Sequence, residues 1–363
     1  MGYDELGTLI SKAILSDFDK KIKYDLSLEE CLKKYTIDEL MRFYYVHLVY
    51  NKDLTNLLTF RTLNGQKKDE IVSEVASNIR DIMYSYLSIL NTSVLNEYKK
   101  YFKDSNRVSL SFEKNNIRMI AITEINSLFF IDCYYDKKNN KIDLYMPECF
   151  YGIFKELVSD KVLNKINIKN NKVFKGINSL VNTYGILTFD ETHELLRKLG
   201  VKVEYEDFEN LVLSSFGATN CFNFTVNDYG RLIYNIAFDE EGNDVVDYCD
   251  ILSDDINRNL DASIIKKIGN DEYFYELKPY KMLIKYLSNM YDGFKEDHKD
   301  FDMLIVADFI DSAQMDTEEA EENFYHNIDE EFEDLTDDAK EKILEYLWDI
   351  YNCYPKWSMR GNI

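Results

Sequence analysis

The sequence predicts an α+β fold that is predominantly helical, with a small antiparallel sheet and a winged-helix-like central unit. Three observations lead to this prediction. Hydrophobic residues make up 45% of the 363 residues, enough for a sizeable core, and only 3 prolines interrupt the chain. Apolar residues recur at helical spacing towards both ends of the chain. Short β-branched and aromatic runs, typical of strands, lie between these regions.

The first predicted elements are helices that begin at capping boxes. The hydroxyl residues Ser27 and Thr36 are each followed three positions later by a glutamate. This spacing satisfies the free N–H groups at the start of a helix. A turn at Gly65, a helix that reaches Ile79 and a further helix over 82–101 are predicted to follow.

The next segment is predicted to form a small sheet followed by a helix. Four short runs between Val108 and Met146 are rich in β-branched and aromatic residues, and turn-forming Asn and Asp separate some of them. Pro147 is predicted as the first residue of a helix that ends near Val158, because proline at that position loses no hydrogen bond.

The central segment has the element order of a winged helix. Two helices are predicted within 173–201, the second capped by Thr188. Two or three strands follow, with turns predicted at 228–230 and 241–243. From Lys278 onward the pattern is helical again.

Charge is distributed unevenly along the chain. The net charge is −23, but residues 1–200 hold 29 basic and 27 acidic residues, whereas 201–363 hold 14 and 39. Such asymmetry favours a surface that binds a basic partner. The alternative is an acidic face that serves only solubility.

The segment Asp316–Asp338 concentrates acidic residues and contains no Lys or Arg. It is predicted to be a helix capped by Thr317, because apolar residues from Ala320 to Leu335 recur at helical spacing. Like charges stand four residues apart with no lysine to offset them, at a cost of roughly 0.2–0.5 kcal/mol per pair. We therefore expect a basic partner to cover this face. The predicted partner-binding residues are Glu318, Glu319, Glu322, Asp329, Glu330, Glu333 and Asp334.

Lysines in two other places suggest contact with nucleic acid as an alternative. The stretch 161–175 is rich in lysine and contains no acidic residue, and it is interpreted as an exposed loop or a binding patch. Phosphate affinity increases with the number of cations presented, although the net charge opposes it. The candidate residues are Lys67, Lys68, Lys169, Lys172 and Lys175.

No motif indicates catalysis, and no cofactor or metal is expected. Neither H-E-x-x-H, nor a glycine-rich phosphate loop, nor G-x-S-x-G occurs. His47 is interpreted as a core or boundary residue, His193 as a surface residue and His298 as part of a solvated loop. The acidic run over 238–244 is interpreted as a hairpin turn and not as a calcium loop. An enzyme with dispersed acidic metal ligands stays an alternative.

The cysteines favour a reduced, cytoplasmic protein with buried thiols. None of the six forms a C-x-x-C pair, and their spacing is wide. The first residues lack the pattern of a signal peptide, and no apolar run approaches the ~20 residues of a membrane span.

Two parts of the sequence resemble known proteins. "TIDELMRFYYVHLV" and "LNGQKKDEIVSEV" resemble a SAP or Rho-N type helical module, although the segment between their helices is long for one. "TYGILTFDETHELL" and "YLWDIYNCYPKWSMRGNI" resemble helical proteins of low-GC Gram-positive bacteria and their mobile elements, which carry a C-terminal SEC-C metal motif. No Cys-rich SEC-C motif occurs in this sequence, so the zinc of that family does not carry over. The resemblance implies architecture and no defined activity.

The leading hypothesis is a non-enzymatic interaction protein, an inhibitor or regulator whose acidic C-terminal half binds the basic, nucleic-acid-binding surface of another protein. An origin in a phage or mobile element would fit it. The rival is a nucleic-acid-associated regulator that acts through the SAP-like and winged-helix-like regions. The predicted domains are a helical region with the SAP-like segment over 1–105, a small sheet with a helix over 106–160, a winged-helix-like unit over 161–275 and an acidic helical region over 276–363.

Overall fold

Helices dominate the computed structural model, which describes residues 26–52, 67–111, 130–136, 138–139, 141–215, 222–238, 249–250, 252, 255–290, 301–331 and 335–363. These residues form 14 α-helices and two three-stranded antiparallel sheets, so the predicted helical α+β class is confirmed. They fall into two compact units. The first unit holds the described residues of 26–173 and 203–215, and the second holds those of 174–202 and 222–363.

The elements follow one another along the chain in a simple order. The N-terminal elements are α1 (Leu28–Leu32), α2 (Ile37–Tyr50), α3 (Lys68–Ser77), α4 (Ile79–Ile89), α5 (Thr92–Tyr101), β1 (Arg107–Ser111), β2 (Asp132–Asp136), β3 (Lys141–Tyr145), α6 (Glu148–Ser159) and α7 (Lys161–Tyr184). The C-terminal elements are β4 (Ile186–Thr188), α8 (Phe189–Lys198), α9 (Tyr205–Ser214), β5 (Asn223–Asn227), β6 (Gly230–Tyr234), α10 (Ala262–Ile268), α11 (Lys278–Met290), α12 (Asp308–Met315), α13 (Thr317–Glu331) and α14 (Asp337–Tyr351).

The N-terminal helices begin where the capping boxes predict. The Ser27 hydroxyl accepts from the Glu30 N–H at 3.3 Å, and the Thr36 hydroxyl accepts from the Glu39 N–H at 3.2 Å. The predicted helix to Ile79 breaks at Asn78, and the predicted helix over 82–101 is two helices. Asn91 separates those two by accepting from the Ser93 N–H, since asparagine prefers capping positions to helix interiors. The predicted turn at Gly65 lies outside the described residues.

The first sheet has the strand order β1–β3–β2, with both pairs antiparallel. This confirms the predicted small antiparallel sheet, although part of its predicted strands lies in 112–129, outside the described residues. The helix α6 follows directly. Pro147 is its N-cap and not its first helical residue, so that prediction is wrong by one position.

The lysine-rich stretch 161–175 lies on the 24-residue helix α7, so its interpretation as a loop is wrong. Asparagine, which favours caps and turns over helix interiors, recurs in this stretch and obscured the helical spacing of its apolar residues. On the buried side, the Asn167 side chain donates to the Leu87 and Leu90 carbonyls at 2.8 and 2.7 Å. Asn170 and Asn171 lie on the same side.

The second sheet has the order β4–β6–β5, again antiparallel throughout. The predicted hairpin turn near 228–230 is present between β5 and β6. The third strand is β4, which lies between the two helices predicted within 173–201 and was not itself predicted. Gly185 introduces it with φ +73°, a conformation that favours glycine. The turn predicted at 241–243 lies outside the described residues.

The C-terminal helices surround one core in the second unit, and the predicted helical character of this region is confirmed. A π-helical turn, Asp302–Ala307, leads into α12. The last residues fold back, and the Trp357 indole donates to the Asn182 carbonyl at 3.0 Å. The core includes Leu283, Leu287, Phe309, Phe324, Ile343 and Leu347, each at most 2% exposed.

Within the described part of the chain, none of the helices combines the length and the apolar character that crossing a bilayer requires.

Candidate functional site

The acidic helix α13 has one buried apolar face and one exposed acidic face. Ala320, Phe324 and Ile328 are at most 2% exposed, as their spacing predicts, and Phe332 lies outside the described residues. Glu318 and Glu322 are exposed on the opposite side. The described apolar residues at helical spacing are therefore used in the core, and Glu318 and Glu322 face solvent.

The start of α13 differs from the prediction. Asp316 caps the helix, because its carboxylate accepts from the N–H groups of Glu318 at 2.7 Å and Glu319 at 3.2 Å. Thr317, the predicted cap, is the first helical residue. An aspartate at this position satisfies free N–H groups and also adds negative charge at the positive end of the helix dipole.

The structure corrects the expectation that no lysine offsets the acidic helix. The Lys340 ammonium, on α14, forms an ion pair with Asp329, and this hydrogen bond raises the pKa of Lys340. Glu318 and Glu322 make no ion pair with any other described residue. Nothing is described for the side chain of Glu330. Glu333 and Asp334 also lie outside the described residues.

An exposed tyrosine, which the sequence reasoning missed, lies on the same face of α13. Tyr325 is 38% exposed and follows Glu318 by seven residues, so both lie on one side of the helix. Glu321, Glu341 and Asp337 are close enough for their charges to add to burial in raising the pKa of Tyr325. We call Glu318, Glu321, Glu322, Tyr325, Asp337 and Glu341 the acidic face.

The acidic face is built from two helices held together by specific contacts. The Trp348 indole on α14 donates to the Glu321 carboxylate at 2.9 Å, and Lys340 pairs with Asp329. The earlier residue on α13, Glu321, meets the later residue on α14, Trp348, and the reverse holds for Asp329 and Lys340. The two helices are therefore antiparallel. The i, i+7 spacing of Glu318 and Tyr325 was visible in the sequence, but the approach of Asp337 and Glu341 depends on this packing.

The lysines of α7 form a second charged feature. Lys161, Lys165, Lys169 and Lys172 are exposed and recur every three or four residues, which places them in one row about 16 Å long. We call these four residues the lysine row. Among the residues that the structure describes, none forms an ion pair with them. Lys175 is also exposed on this helix.

Lys67 and Lys68 are placed differently from the lysine row. Lys67 is exposed just before α3, and its N–H donates to the Glu70 carboxylate at 3.3 Å. The Lys68 ammonium donates to the Lys33 carbonyl at 2.8 Å, which ties α3 to the end of α1. Asp69, the next residue, pairs with Lys33, so this site offers no concentrated positive charge.

His47 and His193 are placed within the packing of the described residues. His193 is only 6% exposed, so its interpretation as a surface residue is wrong, because it shares the buried face of α8. His47 approaches the Ser85 hydroxyl at 3.2 Å, as a boundary residue would. His298 lies outside the described residues. In the described ranges, no three His, Cys, Asp or Glu side chains converge to hold a metal ion.

A small cleft in the second unit is structural in character. Asp271, Asp311, Gln314 and Tyr354 line it. Burial, reinforced by both aspartates, raises the pKa of Tyr354, which makes the phenol a poor acid or base near neutral pH. The Gln314 amide donates to the Pro355 carbonyl at 2.9 Å, so its role is to hold the C-terminal segment.

Comparison of the chain with known protein families, curated proteins and solved structures finds no match. The resemblance to SAP or Rho-N modules and to SEC-C-associated proteins therefore stays a prediction from the sequence. The two exposed charged features, the acidic face and the lysine row, are the basis for any assignment of function.

Proposed function

We propose that the protein is a non-enzymatic interaction protein, an inhibitor or regulator, whose acidic face binds a basic surface of another protein. The observation that carries the proposal is Tyr325, exposed among Glu321, Asp337 and Glu341. A solvated face that serves only solubility needs no large aromatic side chain at its centre. An aromatic ring surrounded by carboxylates suits an arginine, which can stack on the ring and pair with the acids.

The charge of the acidic face also supports a cationic partner. Glu318 and Glu322 are like charges four residues apart, and their repulsion costs roughly 0.2–0.5 kcal/mol. A partner arginine or lysine would convert this repulsion into attraction. Surfaces that bind nucleic acid present such cations for phosphates, so a row of carboxylates would compete with nucleic acid for them.

An affinity capture tests this proposal with a matched control. The test variant is Glu318→Lys with Glu322→Lys. The control variant is Asp104→Lys with Asp255→Lys, which changes net charge equally at exposed positions elsewhere. Each protein is immobilised and exposed to cell lysate with and without nuclease, and captured proteins are identified by mass spectrometry.

The proposal expects a nuclease-resistant basic protein that the wild type and the control capture and that the test variant loses. Its association with purified wild type should slow as salt increases, because long-range attraction between charges is screened. Equal capture by the test variant and the wild type would show that the acidic face is only a solvated surface.

The lysine row supports a second candidate function, direct binding of nucleic acid by α7. Four exposed ammonium groups in one row can contact successive phosphates along a strand. The buried asparagines on the opposite side of α7 attach the helix to residues 87–90 and leave this side for a ligand.

The winged-helix-like prediction does not itself supply a DNA-reading helix. Its support is the chain order α7–β4–α8–α9–β5–β6 together with the sheet order β4–β6–β5. In helix-turn-helix proteins the second helix of the motif enters the major groove. By chain order alone, that helix would be α9, whose Glu206 and Asp207 pair with Lys52 at 3.3 and 3.0 Å. An acidic helix is repelled by phosphates, so α7 is the better candidate.

Fluorescence anisotropy with labelled DNA and RNA tests the second candidate. The test variant is Lys165→Glu with Lys169→Glu and Lys172→Glu, and the control is Lys103→Glu with Lys138→Glu and Lys141→Glu, which are also exposed. Loss of three phosphate contacts should reduce the slope of log affinity against log salt by about 2.7 for duplex DNA. Equal slopes for the two variants, or no binding by the wild type at low salt, would exclude the lysine row as the site.

A further inference from the structure

Two cysteines 118 residues apart in sequence lie next to each other in the first unit. The sulfur atoms of Cys31, in α1, and Cys149, in the first turn of α6, are 3.9 Å apart. Both are free thiols; Cys31 is 2% exposed and Cys149 is partly exposed. A disulfide bond is about 2.05 Å long, so closure requires the sulfurs to approach by roughly 1.9 Å. Side-chain rotation and small helix shifts cover such distances.

The surroundings of the two sulfurs make them chemically different. The hydrogen bond between the two thiols is the largest influence that lowers the pKa of Cys149, and the N–H groups of Cys149 and Phe150 at the start of α6 add to it, as does Lys34. The same contact, together with burial, raises the pKa of Cys31. Lys34 is itself paired with Asp132 at 2.7 Å. Cys149 is therefore the first of the two to ionise, and it is the one that solvent reaches.

We propose that Cys149 and Cys31 are a peroxide-reactive thiol pair that closes into a disulfide bond between α6 and α1. The Cys149 thiolate attacks one oxygen of a hydroperoxide and breaks the O–O bond, which gives the Cys149 sulfenic acid and releases hydroxide or alkoxide. The Cys31 thiol then attacks the sulfenic sulfur. An S–S bond forms, and the S–OH oxygen leaves as water with the thiol proton. The two cysteines lose two electrons, which reduce the peroxide.

The other described cysteines lack this arrangement. Burial raises the pKa of Cys133 to about 12, so its thiolate is scarce at neutral pH. Cys249 is 1% exposed, which hinders access of an oxidant. The Cys353 thiol donates to the Asp349 carbonyl at 3.3 Å and stands at no helix N-terminus. Among the described cysteines, oxidation should therefore begin at Cys149.

Oxidation of the full-length protein by hydrogen peroxide tests the inference. Remaining thiols are blocked with N-ethylmaleimide, the protein is digested and peptides are identified by mass spectrometry. We expect a peptide pair linked through Cys31 and Cys149 that dithiothreitol separates. Cys31→Ser and Cys149→Ser should each lose this link. In Cys31→Ser, the reagent dimedone should trap a sulfenic acid on Cys149, because no resolving thiol remains. The control Cys353→Ser should keep the link.

The wild-type protein alone can overturn the inference, even if a variant fails to fold. If peroxide modifies Cys353 before Cys149, the structural reason for selectivity is wrong. If Cys149 is oxidised to sulfinic acid while Cys31 is still alkylated by N-ethylmaleimide, the two sulfurs do not close into a bond. Either result would remove the proposed pair.

Discussion

The buried ion pair between Arg360 and Glu191 leads to a quantitative prediction about stability. The Arg360 side chain is 1% exposed, and its Nη2 pairs with Glu191 Oε1. Its Nε and Nη1 have no hydrogen-bond partner among the described residues. The Glu191 side chain is 18% exposed, and its other oxygen accepts from the Thr188 N–H at 2.9 Å. Glu191 therefore completes a capping box and also neutralises a buried guanidinium.

The substitution Glu191→Gln separates these two roles. Glutamine also serves at this position of a capping box, so the cap is retained while the charge is lost. Removing one partner of a buried pair leaves the other charge uncompensated, which costs about 3–5 kcal/mol. Arg360→Met removes the charge that is more deeply buried, and the remaining carboxylate keeps Thr188 as a donor. We therefore expect a smaller cost, about 1–2 kcal/mol.

Urea denaturation followed by tryptophan fluorescence measures these costs, since Trp357 is buried in the same unit. The double variant Glu191→Gln with Arg360→Met should be more stable than Glu191→Gln alone, because no unpaired charge stays buried. Lys342→Gln, which breaks the exposed pair with Glu345, is the control and should change the free energy of unfolding by less than about 1 kcal/mol. If Glu191→Gln costs no more than this control, Arg360 is neutralised or hydrated in another way and the reasoning fails.

Three further predictions rest on single substitutions. At Gly269 a Cβ would lie 2.5 Å from the Cα of Ser179, so Gly269→Ala should lower the free energy of unfolding by about 1–3 kcal/mol. At Gly152 a Cβ would meet nothing within 4 Å, so Gly152→Ala should stabilise its helix by roughly 0.5–1 kcal/mol. Thermal unfolding of the two variants compares these effects. Burial lowers the pKa of Lys356 to about 8, whereas the pKa in the unfolded chain stays near 10.5. Between these two pH values only the unfolded chain keeps the proton, so the contribution of Lys356 to the free energy of unfolding should rise with pH. Lys356→Met should abolish that rise in urea titrations across this range, and an unchanged profile would contradict the assignment. Asn167→Asp would place a carboxylate against two carbonyl oxygens, so the free energy of unfolding should fall by more than about 2 kcal/mol at neutral pH. It should partly recover in acid, because the protonated carboxyl can donate a hydrogen bond. Equal stability of this variant at both pH values would refute the prediction.

Local signals in the sequence were sufficient for much of the fold. The capping boxes at Ser27, Thr36 and Thr188 mark real helix starts, because their hydrogen bonds join residues only three apart. The strands β5 and β6 were predictable for a similar reason, since the turn between them is short. Apolar spacing also gave the buried face of α13 correctly.

The errors arise where distant contacts or ambiguous residues decide the structure. The strand β4 has only three residues, and its Ile186 pairs with Tyr234, which lies 48 positions later in the chain. No local sequence pattern therefore predicts this strand. Asparagine favours both turns and helix caps, so its presence does not show whether a helix continues, ends or begins. This ambiguity concealed the break at Asn91 and the helix through 161–175. For the candidate sites, the row of acids could be predicted, but not the neighbours of Tyr325.

The three asparagines of α7 have a consequence for how this helix can change. Asn167, Asn170 and Asn171 donate their amide N–H groups to backbone carbonyls of residues 87–90. An amide side chain does not titrate and carries no net charge, so neither acidification nor added salt weakens this attachment as it would an ion pair. The lysines on the other side can be acetylated, exchanged or reversed in sign while the helix keeps its position. Attachment and surface charge on α7 can thus vary independently, both in evolution and in the laboratory.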